Sequence, residues 1–280
     1  MTDIWTYIDG DWHEKAMPLM AADSNAAWLG NTVFDGARYF EGVMPDLDRH
    51  CRRVIRSAEV MQMLPRMDGA EVEGLVREKI GKINTDDALY IRPMFWIEEG
   101  LGPIVPESTR FCIVLQRMAM PEKGTGFSAC LSKFRKPSPE TAPTAAKATC
   151  LYPQATLAWG EAKKRGFDNA VMLDANGAVA EFTMQNLFLV KDGVVSTPQA
   201  NGMLLNGITR QRAILLLEQL GHKVVERRIG VEELLEADEI ISTGNHARIF
   251  PCVKYEDNEM GMGPVYEKLR EAYWHFSATC

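Results

Sequence analysis

The central segment of the chain reads Pro143-Thr144-Ala145-Ala146-Lys147-Ala148-Thr149-Cys150-Leu151-Tyr152. It sets one lysine between alanines, shortly after a proline and shortly before a helical pattern, and a tyrosine follows five positions later. Most lysines in proteins are solvated, so a surface position is the ordinary interpretation. A lysine between small apolar residues can also be desolvated and serve as an amine nucleophile. Residue type alone leaves both interpretations open for Lys147.

The overall composition is that of a soluble globular protein. The chain has 280 residues, 46% of them hydrophobic and 25% charged, and its formal net charge of -7 argues against a nucleic-acid or anionic-membrane partner. Six cysteines lie far apart without a CxxC pair, which indicates reduced thiols and a cytoplasmic location. The histidines lack HxxxH or HExxH spacing, so we expect no metal site. No signal peptide and no run of roughly 18 apolar residues is present, so we expect no membrane span.

Hydrophobic periodicity predicts helices and strands in mixed order, which indicates a mixed α/β (α/β or α+β) protein of two domains. The polar, glycine-containing segment at 121–126 lies between two strand-like runs and is the best linker in the chain. We therefore predict a small N-terminal α/β domain at 1–120 and a large C-terminal domain at 127–280 that carries Lys147. The β-branched and aromatic content of residues 28–40 predicts a strand there.

Several polar residues stand in settings that allow two interpretations. Glu181, between Ala180 and Phe182, is either a surface carboxylate at a strand end or a buried acid paired with a cation. The segments Asn206-Gly207-Ile208-Thr209-Arg210 and Ser242-Thr243-Gly244-Asn245 each offer backbone N–H groups and a hydroxyl to an anion, yet most such helix starts and turns bind nothing. Arg53 belongs to a run of helical arginines that is ordinarily a solvated face.

Together these segments resemble the fold-type IV (class IV) pyridoxal-phosphate (PLP)-dependent aminotransferases, and most of all the branched-chain amino acid aminotransferases. The resemblance runs from about Tyr7 to Leu269 and rests on six segments in the family's order and spacing. They are Val33-Phe34-Asp35-Gly36, Tyr90-Ile91-Arg92-Pro93, Pro143 to Ala148, Glu181 with Asn186-Leu187-Phe188, Gly207 to Arg210, and Asp238-Glu239 with the Ser-Thr-Gly turn.

The resemblance implies a fold, a cofactor and an assembly. The fold is the two-domain fold-type IV architecture, and the cofactor is pyridoxal 5'-phosphate. The substrates are an amino acid and a 2-oxo acid, and the assembly is a homodimer or a higher homo-oligomer whose partner loop completes the pocket.

The resemblance also implies a role for each matching residue. Lys147 is the Schiff-base lysine, Glu181 the partner of the pyridine nitrogen and Tyr152 the partner of the ring's phenolic oxygen. The phosphate is held by Arg53 together with the helix start and the turn, namely by Gly207, Ile208, Thr209, Thr243 and Asn245. The residues at substrate-pocket positions are Phe34, Tyr90, Arg92 and His246.

The chain departs from the branched-chain members on the substrate side. Leu29 stands where they usually carry a tyrosine, and the segment Gln116-Arg117-Met118-Ala119-Met120 replaces an aromatic-rich one. Asn245 replaces a common threonine and is followed by His246 and Arg248. The first expectation is transamination between a branched-chain L-amino acid and 2-oxoglutarate. The alternatives are a D-amino acid or (R)-amine transaminase, an aminodeoxychorismate lyase of the same fold, or a binding module that only keeps the scaffold.

Overall fold

In the computed structural model, which describes residues 3–280, the chain forms two compact units. The first contains the residues up to Met120 together with Ala145–Cys150 and Cys280, and the second contains Pro121–Thr144 and Leu151–Thr279. The sequence had placed Lys147 in the C-terminal domain, whereas its short segment packs with the first unit. The difference arises because main-chain hydrogen bonds tie this segment to a strand of the first unit: the N–H of Phe34 donates to the carbonyl of Lys147 at 3.1 Å.

The described residues of the first unit form six strands and three α-helices. In chain order these are β1 Ile4–Ile8, β2 Asp11–His13, α1 Asn25–Leu29, β3 Thr32–Phe34, β4 Ala37–Tyr39, α2 Leu47–Val60, α3 Gly69–Ile83, β5 Leu89–Ile97 and β6 Thr109–Arg117. The strands form one antiparallel sheet in the order β2-β1-β6-β5-β3, and β4 also pairs with β5.

The core of the first unit lies between its sheet and the helices α2 and α3. Leu47 and Cys51 of α2 and Val72 and Val76 of α3 pack with alternate residues of β5 and β6, such as Ile91. Because side chains alternate along a strand, the residues between these core positions lie on the opposite face of the sheet. That opposite face carries the predicted substrate-pocket residues of this unit.

The prediction of a strand at 28–40 was wrong at its beginning, where α1 includes Trp28 and Leu29. Capping interactions at both ends stabilise this helix despite the β-propensity of its residues. The Ser24 hydroxyl accepts from the Ala27 N–H at 3.2 Å, and Gly30 ends the helix in the left-handed conformation at φ 73°. The strand pattern resumes only at Thr32.

The second unit contains nine strands and four α-helices. In chain order these are β7 Phe127–Arg135, α4 Pro153–Lys164, β8 Asn169–Leu173, β9 Val179–Phe182, β10 Asn186–Lys191, β11 Val194–Pro198, α5 Ile208–Gln219, β12 Val224–Arg227, α6 Glu232–Leu235, β13 Glu239–Gly244, β14 Arg248–Tyr255, β15 Asn258–Glu259 and α7 Pro264–Ser277. The sheet order is β12-β11-β10-β13-β14-β7-β8-β9, with β15 on β14.

Helices cover the second sheet where its strands are buried on both faces. The short strand β9 and five of the six residues of β10 are buried throughout. One core forms around Phe182, Leu187 and Ile240, and another where the alanines of α4 pack on β7 and β8. The predicted mixed α/β class is confirmed. Within residues 3–280, no helix is long and apolar enough to span a membrane.

Candidate functional site

Lys147 is held from both sides by the main chain of the first unit. Its N–H donates to the Ser57 hydroxyl of α2 at 3.0 Å, and its carbonyl accepts from the Phe34 N–H of β3 at 3.1 Å. The next residue, Ala148, forms an antiparallel bridge with Val33. The partly buried side chain extends over Phe34, with Nζ 4.3 Å from the ring centroid. The lysine is therefore positioned by its backbone and lies against an aromatic face rather than in open solvent.

The substrate-pocket positions predicted in the first unit share one face of its sheet. Phe34 is the cross-strand partner of Met94, and side chains directly opposite each other in a sheet lie on the same face. Tyr90, Arg92 and Met94 alternate along β5 with the buried core residues, so they lie on that face too. Arg92 keeps its Nε buried without a hydrogen-bond partner in the described part of the chain. A cation, a phenol and two apolar side chains thus share the face on which Lys147 lies.

Arg53 does not belong to the solvated face of its helix, unlike the exposed Arg52 and Arg56. Its Nε and Nη2 donate to the two oxygens of Asp35 at 2.6 and 2.8 Å. His50 Nδ1 lies 2.7 Å from Asp35 Oδ1, and Asp35 is fully buried. Burial alone would raise the pKa of Asp35, but Arg53 and His50 outweigh it and hold that pKa well below its ordinary range. The charged Asp35 fixes the orientation of the guanidinium that the sequence assigns to a phosphate.

Arg38 was not singled out from the sequence. It is fully buried on β4, and its Nη2 donates to the carbonyls of Met118 and Ala119 at 2.6 and 3.1 Å. It is also the cross-strand partner of Tyr90, so it lies on the same face of the sheet. The segment at 116–120, where the chain departs from its relatives, is therefore anchored to this face by a buried cation. Nothing in the periodicity of β4 indicates this contact.

The sequence allowed two interpretations of Glu181, and the structure agrees with the second, a buried acid paired with a cation. It lies on β9 with 6% of its surface exposed. Lys136 Nζ is 2.7 Å from Oε1, and the Asn186 side-chain amide donates to Oε2 at 2.9 Å. The lysine comes directly after β7 and was missed in the sequence because it stands in a proline-rich loop. Both carboxylate oxygens therefore have a donor, and their remaining lone pairs can accept from a further group.

Asn186 connects Glu181 with the loop before α5. Its amide also donates to the carbonyl of Leu205 at 2.8 Å, and its Oδ1 occupies the space where a Cβ on Gly207 would lie. Thr243 is its cross-strand partner on β13, so the two side chains share a face. Thr243 Oγ1 is buried and has no hydrogen-bond partner among residues 3–280. A buried hydroxyl of this kind can donate to a ligand.

The start of α5 adds backbone donors beside these side chains. The helix begins at Ile208 with Gly207 as its N-cap, which offers no side-chain cap. The first N–H groups of a helix have no partner within it and favour an anion. Arg210 fixes the first turn by donating to Pro198, Asn206 and Glu226 at 2.9, 3.0 and 2.6 Å. With Thr209 buried in that turn, the donors suit a phosphate.

The remaining predicted residues occupy the ends of elements in the second unit. Tyr152 is the partly buried N-cap residue of α4. Asn245 and His246 form the turn between β13 and β14, and His246 is exposed. His246 lines a cavity of about 170 Å³ together with Ser242 and Phe250, which are cross-strand partners. Because Ser242 precedes Thr243 on β13, this cavity lies on the other face of the sheet, so the structure does not bring His246 together with Thr243.

The polar groups of the second unit fit PLP, the cofactor that the resemblance implied. A buried carboxylate can face the nitrogen of a pyridine ring, and a buried hydroxyl and an uncapped helix start can hold a phosphate. Gly207 leaves room for the Asn186 side chain, since any larger residue at this position would collide with it.

Comparison with known proteins points in the same direction. A family model described as amino-transferase class IV matches residues 32–255. The branched-chain-amino-acid aminotransferase of Escherichia coli is 31% identical over 277 residues, covering 94% of this chain and 88% of that protein. The corresponding protein of Pseudomonas aeruginosa is 33% identical over 259 residues, covering 88% of this chain and 83% of its own.

Solved structures match over nearly the whole length. The crystal structure of an aminotransferase from Brucella abortus bound to PLP has a TM-score of 0.96 and 42% identity, covering 99% of each chain. A branched-chain aminotransferase from Thermoproteus uzoniensis, solved with norvaline, has a TM-score of 0.90 and 29% identity, covering 98% of this chain and 94% of its own.

Proposed function

The chain belongs to the class IV aminotransferases, and from that premise we propose that it transfers an amino group between a branched-chain L-amino acid and a 2-oxo acid such as 2-oxoglutarate, with PLP as cofactor. The observation that carries this proposal is the face of the first sheet on which Lys147 lies with Phe34, Tyr90 and Arg92. It combines an amine, a cation for a carboxylate and apolar surface for an aliphatic side chain.

PLP, when bound, withdraws electrons from the substrate α-carbon so that its proton can leave. We assign Lys147 as the residue that carries the cofactor and that moves this proton, first as general base and then as general acid. With PLP bound, the carboxylate of Glu181 would hold the positive charge on the pyridine nitrogen, and Tyr152 would donate to the phenolic oxygen of the ring. Both assignments agree with the burial of Glu181 and the partial burial of Tyr152.

The phosphate of a bound PLP would be held by donors of three kinds. The backbone of Gly207, Ile208 and Thr209 provides N–H groups at the start of α5, and Thr243 provides its unsatisfied hydroxyl. Arg53 provides a guanidinium whose orientation Asp35 fixes. Asn245, in the turn after β13, adds an amide to this set. Helix starts and arginines are the donors that proteins most often use for phosphate.

On the substrate side, Arg92 pairs with a carboxylate and Tyr90 donates to it, while Phe34 and Met94 contact the aliphatic side chain. We propose no substrate contact for His246, because it lines the cavity on the face of the second sheet opposite Thr243.

A panel of amino donors tests the substrate. Leucine, isoleucine and valine with 2-oxoglutarate should each yield glutamate, measured by a coupled assay. D-alanine with 2-oxoglutarate, (R)-1-phenylethylamine with pyruvate, and aminodeoxychorismate alone are the competing substrates of the same fold. Turnover of one of these without turnover of the branched-chain donors would reject the proposal and select the alternative.

Borohydride reduction of the PLP-loaded protein tests the lysine. The label should be found on the peptide that contains Lys147, and Lys147→Ala should lose it. A label on another lysine, such as Lys136, would overturn the assignment.

We further propose that the protein is a homodimer in the cytoplasm. Trp28, Leu29 and Leu101 expose 70%, 50% and 81% of their surface, which suits burial against a second copy. All six cysteines are free thiols, as in a reducing compartment. Sedimentation of the purified protein at a monomer mass would reject the dimer, and cell fractionation tests the location.

A further inference from the structure

A second lysine, Lys136, is built into the second unit next to Glu181. Its Nζ is 2.7 Å from Glu181 Oε1 and donates to the Thr183 carbonyl at 3.1 Å. Only 11% of the lysine side chain and 8% of the glutamate side chain are exposed. Its own N–H donates to the Leu173 carbonyl at 2.8 Å, so its backbone is fixed as well. The ammonium is thus held at one atom of one carboxylate.

The position of this ion pair has no obvious value for folding alone. Burying two charges is costly, and a pair of apolar residues of similar volume often stabilises a protein equally well. The carboxylate already has a neutral donor in Asn186, 2.9 Å from Oε2. A second, charged donor changes the electrostatic character of Glu181 rather than merely satisfying it. A carboxylate balanced by a nearby cation attracts a further positive charge less strongly than an isolated one.

On the basis of the function proposed above, we propose that Lys136 is a positioning residue that orients Glu181 and sets how firmly this carboxylate holds positive charge on the pyridine nitrogen of PLP. Lys136 acts through Glu181. The positive charge of Lys136 opposes a second positive charge on the far side of the Glu181 carboxylate. Lys136 therefore adjusts how strongly the pyridine ring of PLP withdraws electrons.

The chain offers matched variants for a test. Lys136→Met removes the charge and keeps the length of the side chain, while Lys136→Arg keeps the charge. Lys133→Met removes an exposed lysine near the end of β7, three residues before Lys136, and is the control. The readouts are the affinity of the apoprotein for PLP, the pH midpoint of the visible absorption band of the loaded protein, and kcat and KM measured separately.

We expect Lys136→Met to raise the pH midpoint by about one unit, because removing a nearby cation favours a protonated chromophore. Its affinity for PLP should rise by about tenfold, because a carboxylate without its counter-charge attracts the positive charge on the pyridine nitrogen more strongly. The loss of activity should appear in kcat rather than in KM. Lys136→Arg should restore the wild-type midpoint, and Lys133→Met should match the wild type throughout. A midpoint in Lys136→Met equal to that of the wild type would overturn the proposal.

A second comparison decides the question if Lys136→Met does not fold. Glu181→Gln and the double variant Lys136→Met/Glu181→Gln lack the buried anion, so neither leaves a carboxylate without its cation. If Lys136 acts only through Glu181, the two should share one midpoint and one affinity for PLP. A further change in the double variant would contradict this. If the wild-type protein forms no visible band with PLP, the proposed function itself is rejected. If the wild type forms the band and Lys136→Met has the same midpoint, only the role of Lys136 is rejected.

Discussion

Asp35 illustrates at the scale of one residue how a buried charge organises its neighbours. It accepts from Arg53 at two atoms, from its neighbour Gly36 and from His50, with no exposed surface of its own. Because its pKa in the folded protein lies below the unfolded value, its stabilising contribution is complete above the unfolded pKa. This contribution is lost as the pH falls from there through the folded pKa.

We therefore expect Asp35→Asn to lower the free energy of unfolding at pH 7 by about 3 kcal/mol, the cost of leaving a buried cation without its partner. The difference from the wild type should shrink as the pH is lowered below about 4, where the unfolded carboxyl takes up a proton. Urea unfolding at several pH values measures both effects. Asp48→Asn, which removes an exposed pair with Arg52, should cost less than about 1 kcal/mol. Equal losses in the two variants would contradict this account.

A second prediction at the scale of one residue concerns Gly207. A Cβ at this position would collide with Asn186 Oδ1, whose amide donates to Glu181. Gly207→Ala should therefore displace Asn186 and weaken PLP binding by about tenfold, roughly 1.4 kcal/mol. Gly160→Ala, at an exposed helical glycine with open space around it, should instead stabilise the protein by about 0.5–1 kcal/mol. Titration of the apoproteins with PLP and thermal unfolding separate the two effects, and unchanged affinity in Gly207→Ala would reject the role given to Asn186.

At the scale of an element, α7 depends on a carboxylate from another part of the chain. Glu239 of β13 is buried and accepts from the N–H groups of Val265 and Tyr266 at 3.0 and 2.8 Å. The helix itself offers no side-chain cap, since its N-cap is Gly263. A buried carboxylate at a helix start satisfies the first N–H groups and interacts favourably with the helix dipole.

Glu239→Ala should cost about 2 kcal/mol of unfolding free energy, because two buried donors lose their acceptor. PLP affinity should stay at the wild-type value, because this residue caps a helix that contributes no proposed cofactor contact. Glu267→Ala, which removes an exposed acid of the same helix, is the control and should cost a few tenths of a kcal/mol. Denaturant titration and PLP titration on the same preparations provide the measurements. A loss of PLP binding in Glu239→Ala would show that the helix start has a further role.

The elements themselves were largely predictable from the sequence, and their exceptions have local causes. Hydrophobic periodicity is clearest in α2, α3 and most of β5, where buried residues recur at the helical or the strand period, whereas the middle of β6 is buried on both faces. It failed at α1, where Ser24 and Gly30 cap a helix of only 5 residues that is too short to show a period. The pairing of Glu181 was left open because Lys136 lies in the loop after β7, far from Glu181 in the sequence, and a sequence pattern carries no information about such a distant contact. Local signals therefore predicted the elements, and only the fold revealed which charges meet.

At the scale of the whole molecule, the proposed cofactor should stabilise the protein through its phosphate. A ligand that binds only the folded state adds stability in proportion to the logarithm of its concentration, about 2.7 kcal/mol at a hundredfold excess over Kd. Removing PLP should therefore lower the melting temperature, and adding it back should restore it. Pyridoxal, which lacks the phosphate, should restore little, because the start of α5 and the Thr243 hydroxyl then have no anion to bind. Thr243→Val should narrow the difference between PLP and pyridoxal, whereas Thr243→Ser should keep it. If pyridoxal raised the melting temperature as much as PLP, the phosphate site assigned to these residues would be wrong.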